Sequence, residues 1–398
     1  MRRVVHVSDC YPPRVGGIET QVRDLAHRQA AAGDDVHVLT ATPGEEPGPG
    51  ERPGPGRDAG TEGRAEPRVH RIATRLALGV PVHPLERPLL RRALADLRPD
   101  VVHVHAGVVS PFAYDGARAA RALGLPLVIT WHCMLDGAVP AYRVGARLTG
   151  WDEAAAAFTA VSAVAGARVA EVVGGRPVAV VPNGLDVAAW APVGGPPALP
   201  PEGPLRVVAT QRLAPRKRAV PLVRIMARVR EAVGPRVHLN LIGSGPAEQA
   251  VRAEIARLDL AGTVELVGRV PRPSLRERYA GEHVFVAPAR LEAFGIAALE
   301  ARAAGLAVVA GRGTGVGEFV TDGVDGLLAP DRSDGLDDEA ADAALAGALV
   351  RLAAEPGLLG GILAHNRATA PAADWADVLA ACEAAYAQAS DGAVAGDP

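Results

Sequence analysis

Two carboxylates, Glu292 and Glu300, stand eight positions apart in the otherwise apolar run RLEAFGIAALEARAAG. The segment reads as a short loop after a strand, then a helix starting near Phe294. At the helical rise of 1.5 Å, eight residues span at most ~12 Å, about the length of a hexose joined to a nucleoside through a pyrophosphate. One carboxylate could then hydrogen-bond hexose hydroxyls and the other ribose hydroxyls. Between them, the helix start at Phe294, Gly295 and Ile296 would offer free N–H groups and the positive end of the helix dipole to phosphates. Gly295 would let the backbone approach closely. A helix with one Glu at its N-terminus and another facing solvent would show the same spacing.

Other segments add chemistry of the same kind. Arg212 closes the strand LRVVATQ, and Lys217 follows in the turn RLAPRK. Two cations at a strand's carboxyl end, with no acidic residue nearby in the sequence, suit a diphosphate, although a solvated basic loop would look alike. Gly243 and Gly245 in LIGSGPAEQ mark another strand-to-helix turn, but Glu248 stands where a dinucleotide fingerprint needs its third glycine. GRGTGVGEFV misses that spacing too, so an NAD site is poorly supported. Close backbone approach to a nucleotide is the more economical use of these glycines. Gly16 and Gly17 open an amphipathic helix whose inward stripe is Ile18, Val22, Leu25 and Ala26. They could seat an anion or a sugar, or form a plain tight turn. His132 ends the strand PLVITWH and is the best candidate for a functional imidazole. His103, which shares a strand face with His105, and His37 read as structural or exposed. No histidine pair has zinc-protease spacing, and no Asp-x-Asp pair closes a strand to hold Mg²⁺. No metal is expected.

The elements that must position these residues alternate between β-rich runs and Ala/Leu/Arg-rich helical stretches. Seven strand candidates precede residue 190 and six follow residue 204. This alternation predicts an α/β protein with two doubly wound parallel domains whose strand ends face a central cleft. The expected limits are an N-terminal acceptor-side domain over 1–190, a Pro/Gly-rich linker over 191–204, and a donor-binding domain over 205–370. A final helix, over 371–398, carries Trp375, Leu379, Cys382 and Tyr386 at helical spacing. Residues 43–67, PGEEPGPGERPGPGRDAGTEGRAEP, cannot build a core and read as a loop.

Composition narrows the function classes. A chain of 398 residues is long enough for two cores. Aromatics are only 4% of residues, which argues against a base-stacking platform, and a net charge of −3 argues against non-specific nucleic-acid binding. Three scattered cysteines suit a reduced cytosol. The start MRRVVHVSDC reads as a strand rather than a signal peptide, and no run approaches the ~20 apolar residues that span a bilayer. The expectation is a soluble cytoplasmic protein with at most peripheral membrane contact. The oligomeric state is left open.

In order, the blocks PPRVGGIE, DVVHVHAG, TWH, VSA, VPNGLD, RLAPRK, IGSGP, VGRV and EAFGIAALEARAAGLAVV cover nearly the whole chain. Together they resemble family 4 of the retaining glycosyltransferases, which have the GT-B fold. The resemblance implies that Glu292 holds the donor sugar and Glu300 the ribose, with the amides around Phe294, Gly295 and Ile296 facing sugar and phosphates. Arg212 and Lys217 match the pair that grips the leaving diphosphate. His132 matches a histidine beside the reacting centre. Gly16 and Gly17 match a loop closing over the donor, and Gly243 lies in a donor-side block. Backbone from Val267 to Val270 would read the donor base. Three positions depart from the family pattern. Gln211 and Arg218 stand where glycines are usual around the phosphate loop, and Asp34 stands where a histidine is common.

The implied activity is transfer of a hexosyl group from a nucleotide-diphosphate sugar, with a UDP-sugar guessed from the family, to an acceptor hydroxyl with retained configuration. No cofactor is implied, since the nucleotide sugar is a substrate. The rivals are a nucleotide-sugar epimerase on the same fold and a catalytically silent nucleotide-sugar-binding protein.

Overall fold

The computed structural model describes residues 1–14, 16–44, 66–72, 86–151, 156–200 and 202–395. The low-complexity stretch expected to be a loop lies outside the described residues, apart from its two ends.

All thirteen predicted strands form, in two sheets whose pairings are parallel. The first sheet holds β1 (Arg3–Ser8), β2 (Asp35–Thr40), β3 (Arg68–Arg71), β4 (Val101–Ala106), β5 (Leu127–Trp131), β6 (Ala156–Ala160) and β7 (Val178–Val180), in the order 3-2-1-4-5-6-7. The second holds β8 (Leu205–Thr210), β9 (Val237–Ile242), β10 (Val264–Gly268), β11 (Val284–Ala287), β12 (Ala307–Gly311) and β13 (Gly326–Ala329), in the order 10-9-8-11-12-13. Parallel strands need a helical crossover between them, and helices on both faces bury the sheet. That burial is why β4, VVHVHA, is inaccessible along its whole length despite two histidines. In each sheet the strand order reverses beside its first strand, between β1 and β4 and between β8 and β11. Ligands of open α/β sheets bind beyond the strand ends at such points.

The chain forms two compact units, Met1–Gly184 with Trp375–Pro398, and Leu185–Asp374. Residues 185–190 therefore belong to the second unit rather than the first. The Pro/Gly-rich 191–204 segment, expected as a linker between the domains, is part of that unit. Its backbone is held from the side: Arg276 Nε donates to the Ala191 carbonyl at 2.8 Å, and His283 Nε2 lies 3.3 Å from the Pro197 carbonyl. Trp190, just before it, is buried against Tyr279 with ring centroids 6.0 Å apart.

The helix Trp375–Ala395 packs in the first unit. Trp375, Val378, Cys382, Tyr386 and Ala389 join Val4, Leu25, Val101, Val128 and Ala157 in one apolar cluster. Gly184 meets it closely, because a methyl group there would sit 2.5 Å from the Trp375 ring.

Gly243 and Gly245 serve the protein's own backbone. At Gly243 φ is +136°, and a methyl group would collide with the Gln211 carbonyl oxygen. Leu213 N donates to the Ser244 carbonyl at 3.0 Å, and Ala247 N to the Leu213 carbonyl at 2.8 Å. The close approach expected for a nucleotide is here an approach of the loop after β9 to the loop after β8. Gly243→Ala is expected to cost on the order of 2–3 kcal/mol through the positive φ and the collision. A shift in the urea midpoint with unchanged slope would report it.

Candidate active site

In the second unit, the loops after β8 and β11 meet at the switch point. β8 leads into Arg212 and a 3₁₀ turn, Pro215–Lys217; β11 leads into Arg290, Glu292 and the helix Ile296–Ala303. Lys217 Nζ donates to Glu292 Oε2 at 2.5 Å. The cation expected to lack an acidic partner has one, supplied by a loop 75 residues away. Arg212 is exposed, its carbonyl accepts from Ala214 N at 2.8 Å, and its guanidinium makes no hydrogen bond or ion pair among the described residues. One cation is thus held in place by a carboxylate while the other is uncommitted. An incoming diphosphate could draw on both.

The helix starts two residues later than expected. Gly295 is its cap, at φ +92°, and Ile296 is its first residue. Val316 closes over this cap, since a methyl group on Gly295 would lie 2.9 Å from Val316 Cγ2. Gly315 N donates to the Glu292 carbonyl at 2.8 Å, and the Phe294 and Phe319 rings meet at a 48° tilt with centroids 5.3 Å apart. The glycine-rich 311–320 run is therefore a brace behind the Glu292–Phe294 loop. Phe294 is buried, so it anchors the loop by its ring and only its backbone is open to a ligand role.

Glu300 is buried on the same helix and accepts from Arg272 Nε at 2.6 Å. A buried carboxylate needs such a partner. Arg272 was not anticipated from the sequence, although it stands in the first turn after the VGRV block. Val270, half-buried in that turn, follows β10 by two residues, where a backbone could meet a base.

Arg218, the departure beside Lys217, takes φ +61°, a left-handed conformation that explains why glycine suits this position. Its guanidinium reaches both oxygens of Asp342 at 2.6 Å. Arg290 binds Asp342 at 2.9 Å and also pairs with Asp338. Two arginines, one from each loop, thus tie the loops after β8 and β11 to the helix Asp338–Ala354. Arg218→Ala keeps the backbone strain and loses the anchor, whereas Arg218→Gly loses both. Arg218→Ala is expected to be the less stable of the two by ~1 kcal/mol in urea denaturation.

In the first unit, Gly16 caps the helix Gly17–Ala31 in extended conformation. The Glu19 carboxylate lies against Gly16 and pairs with Arg14 at 3.0 Å. These glycines stand at the carboxyl end of β1, at that sheet's switch point.

His132 follows β5, and its Nε2 lies 3.0 Å from His105 Nδ1. His105 Nε2 lies 2.9 Å from His6 Nδ1, and His6 Nε2 lies 2.7 Å from Gln29 Oε1. Burial pushes the His6 and His132 imidazoles down to about 4, and His103 and His105 well below the ordinary value. All four are neutral at pH 7. Ligand atoms of His6, His103 and His105 lie within 4.8 Å of one another, close enough for a metal ion. Every ring nitrogen of the three already has a hydrogen-bond partner, so the hydrogen bonds account for the cluster without one. His103 is structural, as expected, between Tyr386 and Thr130. His6 and Gln29 were not singled out in the sequence; the alternation His103, His105 on a strand beside β1 was the available signal. Among the described residues, no single helix is long and apolar enough to cross a membrane.

Comparison with known proteins agrees with this arrangement. Residues 15–189 match the model of "Glycosyltransferase Family 4", and residues 196–347 that of "Glycosyl transferases group 1". The GDP-mannose-dependent alpha-(1-6)-phosphatidylinositol monomannoside mannosyltransferase of Mycolicibacterium smegmatis is 30% identical over 380 residues, covering 89% of this chain and 91% of that protein. Sucrose-phosphate synthase from Thermosynechococcus elongatus has the same fold, with a TM-score of 0.74 at 22% identity over 98% and 99% of the two chains. HepE of Anabaena, solved in complex with UDP and glucose, has a TM-score of 0.67 at 20% identity over 92% and 94%. On its two sheets, its ordered blocks and these matches, the chain belongs to family 4 of the glycosyltransferases and has the GT-B fold.

Proposed function

We propose that this glycosyltransferase moves a hexosyl group from a nucleotide-diphosphate sugar to an acceptor hydroxyl with retention of configuration. The observation that carries the reading is the switch-point constellation of the second unit: Arg212 uncommitted, Lys217 bonded to Glu292, and a glycine-capped helix start beside them.

The chemistry is charge separation. As the glycosidic bond to phosphate lengthens, negative charge grows on the diphosphate and positive charge on the sugar ring. Arg212, Lys217 and the amides at Ile296 stabilise the first, and such fixed donors act most strongly where charge develops. Glu292, a hydrogen-bond acceptor, takes sugar hydroxyls. Glu300, which accepts from Arg272 at 2.6 Å, takes the ribose. His132 serves a substrate hydroxyl from the first unit. Front-face attack by the acceptor then gives retention without a covalent intermediate.

For the donor base, HepE is known with UDP and the mycobacterial relative uses GDP-mannose, so UDP- and GDP-sugars are the first to try. Hydrolysis and transfer should be screened with UDP-, GDP-, ADP- and dTDP-sugars, following the anomeric configuration of the product by NMR. An inverted product would overturn retention, and conversion of the donor into an isomeric sugar would favour the epimerase. Because two cations meet the diphosphate, the rate is expected to be unchanged in excess EDTA. Loss of activity that Mg²⁺ or Mn²⁺ restores would overturn the cation-clamp assignment.

A further inference from the structure

We propose that a polarised chain of hydrogen bonds inside the first unit fixes His132 as its Nε2–H tautomer, so that Nδ1 is offered as a bare acceptor to a hydroxyl group of the sugar substrate. The tautomer assignment stands by itself, whereas the substrate half rests on the transferase reading.

The chain begins at a group with no choice. The Ile129 carbonyl only accepts, and Thr159 Oγ1 donates to it at 3.3 Å. A hydroxyl has a single proton. Thr159 must therefore accept from Thr130 Oγ1, 2.5 Å away, and Thr130 must accept from His103 Nε2 at 2.7 Å. A neutral imidazole that donates at one nitrogen accepts at the other. His103 Nδ1 thus accepts from the Tyr386 hydroxyl at 2.9 Å, whose oxygen accepts from Gln29 Nε2 at 2.8 Å. The Gln29 amide is now oriented, and its Oε1 accepts from His6 Nε2 at 2.7 Å. His6 Nδ1 must accept from His105 Nε2, and His105 Nδ1 from His132 Nε2, at 2.9 and 3.0 Å. Each step leaves one possibility for the next. The last atom, His132 Nδ1, is buried and makes no hydrogen bond, although the Asn183 side chain lies near enough to the imidazole to act on it.

Reversing the chain is worse at both ends. Thr159 would spend its proton on Thr130 and lose the bond to Ile129. At the other end His132 Nδ1 would become a buried N–H that makes no hydrogen bond unless the Asn183 amide turned to accept it, and orphaned buried N–H groups are rare. The neutrality that the scheme needs is supplied by burial of all four imidazoles.

His132 borders a small cavity, with Gln21, Thr130, Asn183 and Trp375 on its walls. A lone pair there discriminates by chemistry. An alcohol O–H satisfies it, whereas a phosphate or carboxylate oxygen carries no proton to give and would be repelled. His6, His105 and Gln29 are in this scheme positioning residues: they touch no substrate and act through His132.

The test is imidazole nitrogen NMR on the full chain labelled with ¹⁵N-histidine, at pH 7.5 and without ligand, with His132 assigned by its loss in His132→Asn. The expected spectrum has a pyrrole-type Nε2 and a pyridine-type Nδ1 at His132. A protonated Nδ1, or averaging of the two tautomers in the wild-type protein, overturns the proposal whatever the variants do. Gln29→Leu should remove the orienting amide and bring His132 to a tautomer mixture, whereas Gln29→Glu, which still accepts from His6, should keep it Nε2–H. A pure Nε2–H His132 in folded Gln29→Leu overturns the relay. UDP-glucose and GDP-mannose are then added separately; the one turned over should move the Nδ1 resonance upfield as it accepts a hydrogen bond. No movement with a sugar that is turned over overturns the substrate half. If neither sugar, nor any other nucleotide sugar, is turned over, the transferase reading fails while the free-protein spectrum still decides the tautomer.

Discussion

Lys217→Ala is expected to lower kcat/KM for the nucleotide-sugar donor by on the order of 10²–10³, the usual cost of losing one fixed donor to developing negative charge. The structure adds a second source of loss. With Lys217 gone, Glu292 is left as an uncompensated carboxylate next to the proposed diphosphate site, and it would repel the donor. The double variant Lys217→Ala with Glu292→Gln should therefore lose less than the product of the two single losses, by a coupling on the order of 1–3 kcal/mol. Stability should barely move, because the pair is partly open to solvent, with side chains 28% and 20% exposed, and such pairs are worth up to ~1 kcal/mol. Steady-state kinetics on the four proteins of the cycle, with urea denaturation alongside, separates the two effects. Wild-type turnover in Lys217→Ala would remove the phosphate-clamp assignment, and strict additivity would mean that the Lys217–Glu292 bond is absent in solution.

That bond marks where the sequence stops being readable. Thirteen strands were legible because parallel, doubly covered strands are written as short apolar runs between polar turns. Arg212, Lys217, Glu292 and His132 could be chosen because each follows such a run, where α/β sheets bind ligands. What could not be read was which strand ends are neighbours. Adjacency of β8 and β11 joins residues 75 positions apart, and adjacency of β1 and β4 brings His6 to the histidines of VVHVHA. At 191–204 proline and glycine suggested a domain linker, and the segment lies within the second unit. Side chains of Arg276 and His283 take up the carbonyls that those residues leave unpaired, and no pattern in the segment records it. Glycines likewise have partners that the sequence does not name. Gly243 is required by a neighbouring loop of the same chain, and the positive φ at Arg218 shows that a non-glycine can stand there when Asp342 holds its side chain.

Acid should act on the first unit well before it acts on the second. In the native state burial holds His6 and His132 near 4, and His103 and His105 also well below the ordinary value, while histidines of an unfolded chain titrate near 6.5. Above pH 6.5 neither state binds these protons, so stability does not change. As the pH falls below 6.5, the unfolded chain takes up protons that the native chain refuses. Each such histidine then costs up to ~1.4 kcal/mol per pH unit, levelling off only below the native values. These four, with His37, which burial also lowers to about 4, act on a domain whose whole stability is typically 5–15 kcal/mol. The second unit carries an opposing group. Burial raises the Glu282 carboxyl to about 7, so its native state gains a proton, and stability, as the pH falls from 7 toward 4.5. His283, lowered by burial, offsets part of that gain. Hydrogen exchange at pH 7, 6 and 5.5, corrected for intrinsic rates, should show protection falling steeply in β1, β4 and β5 while β8 and β9 hold. Loss confined to pH below 4.5 would assign acid unfolding to carboxylates such as Glu254, held down to about 2 by Arg257 and Arg224. It would also mean that the four imidazoles do not stay neutral in the native protein. Without that neutrality the hydrogen-bond chain ending at His132 has no fixed direction.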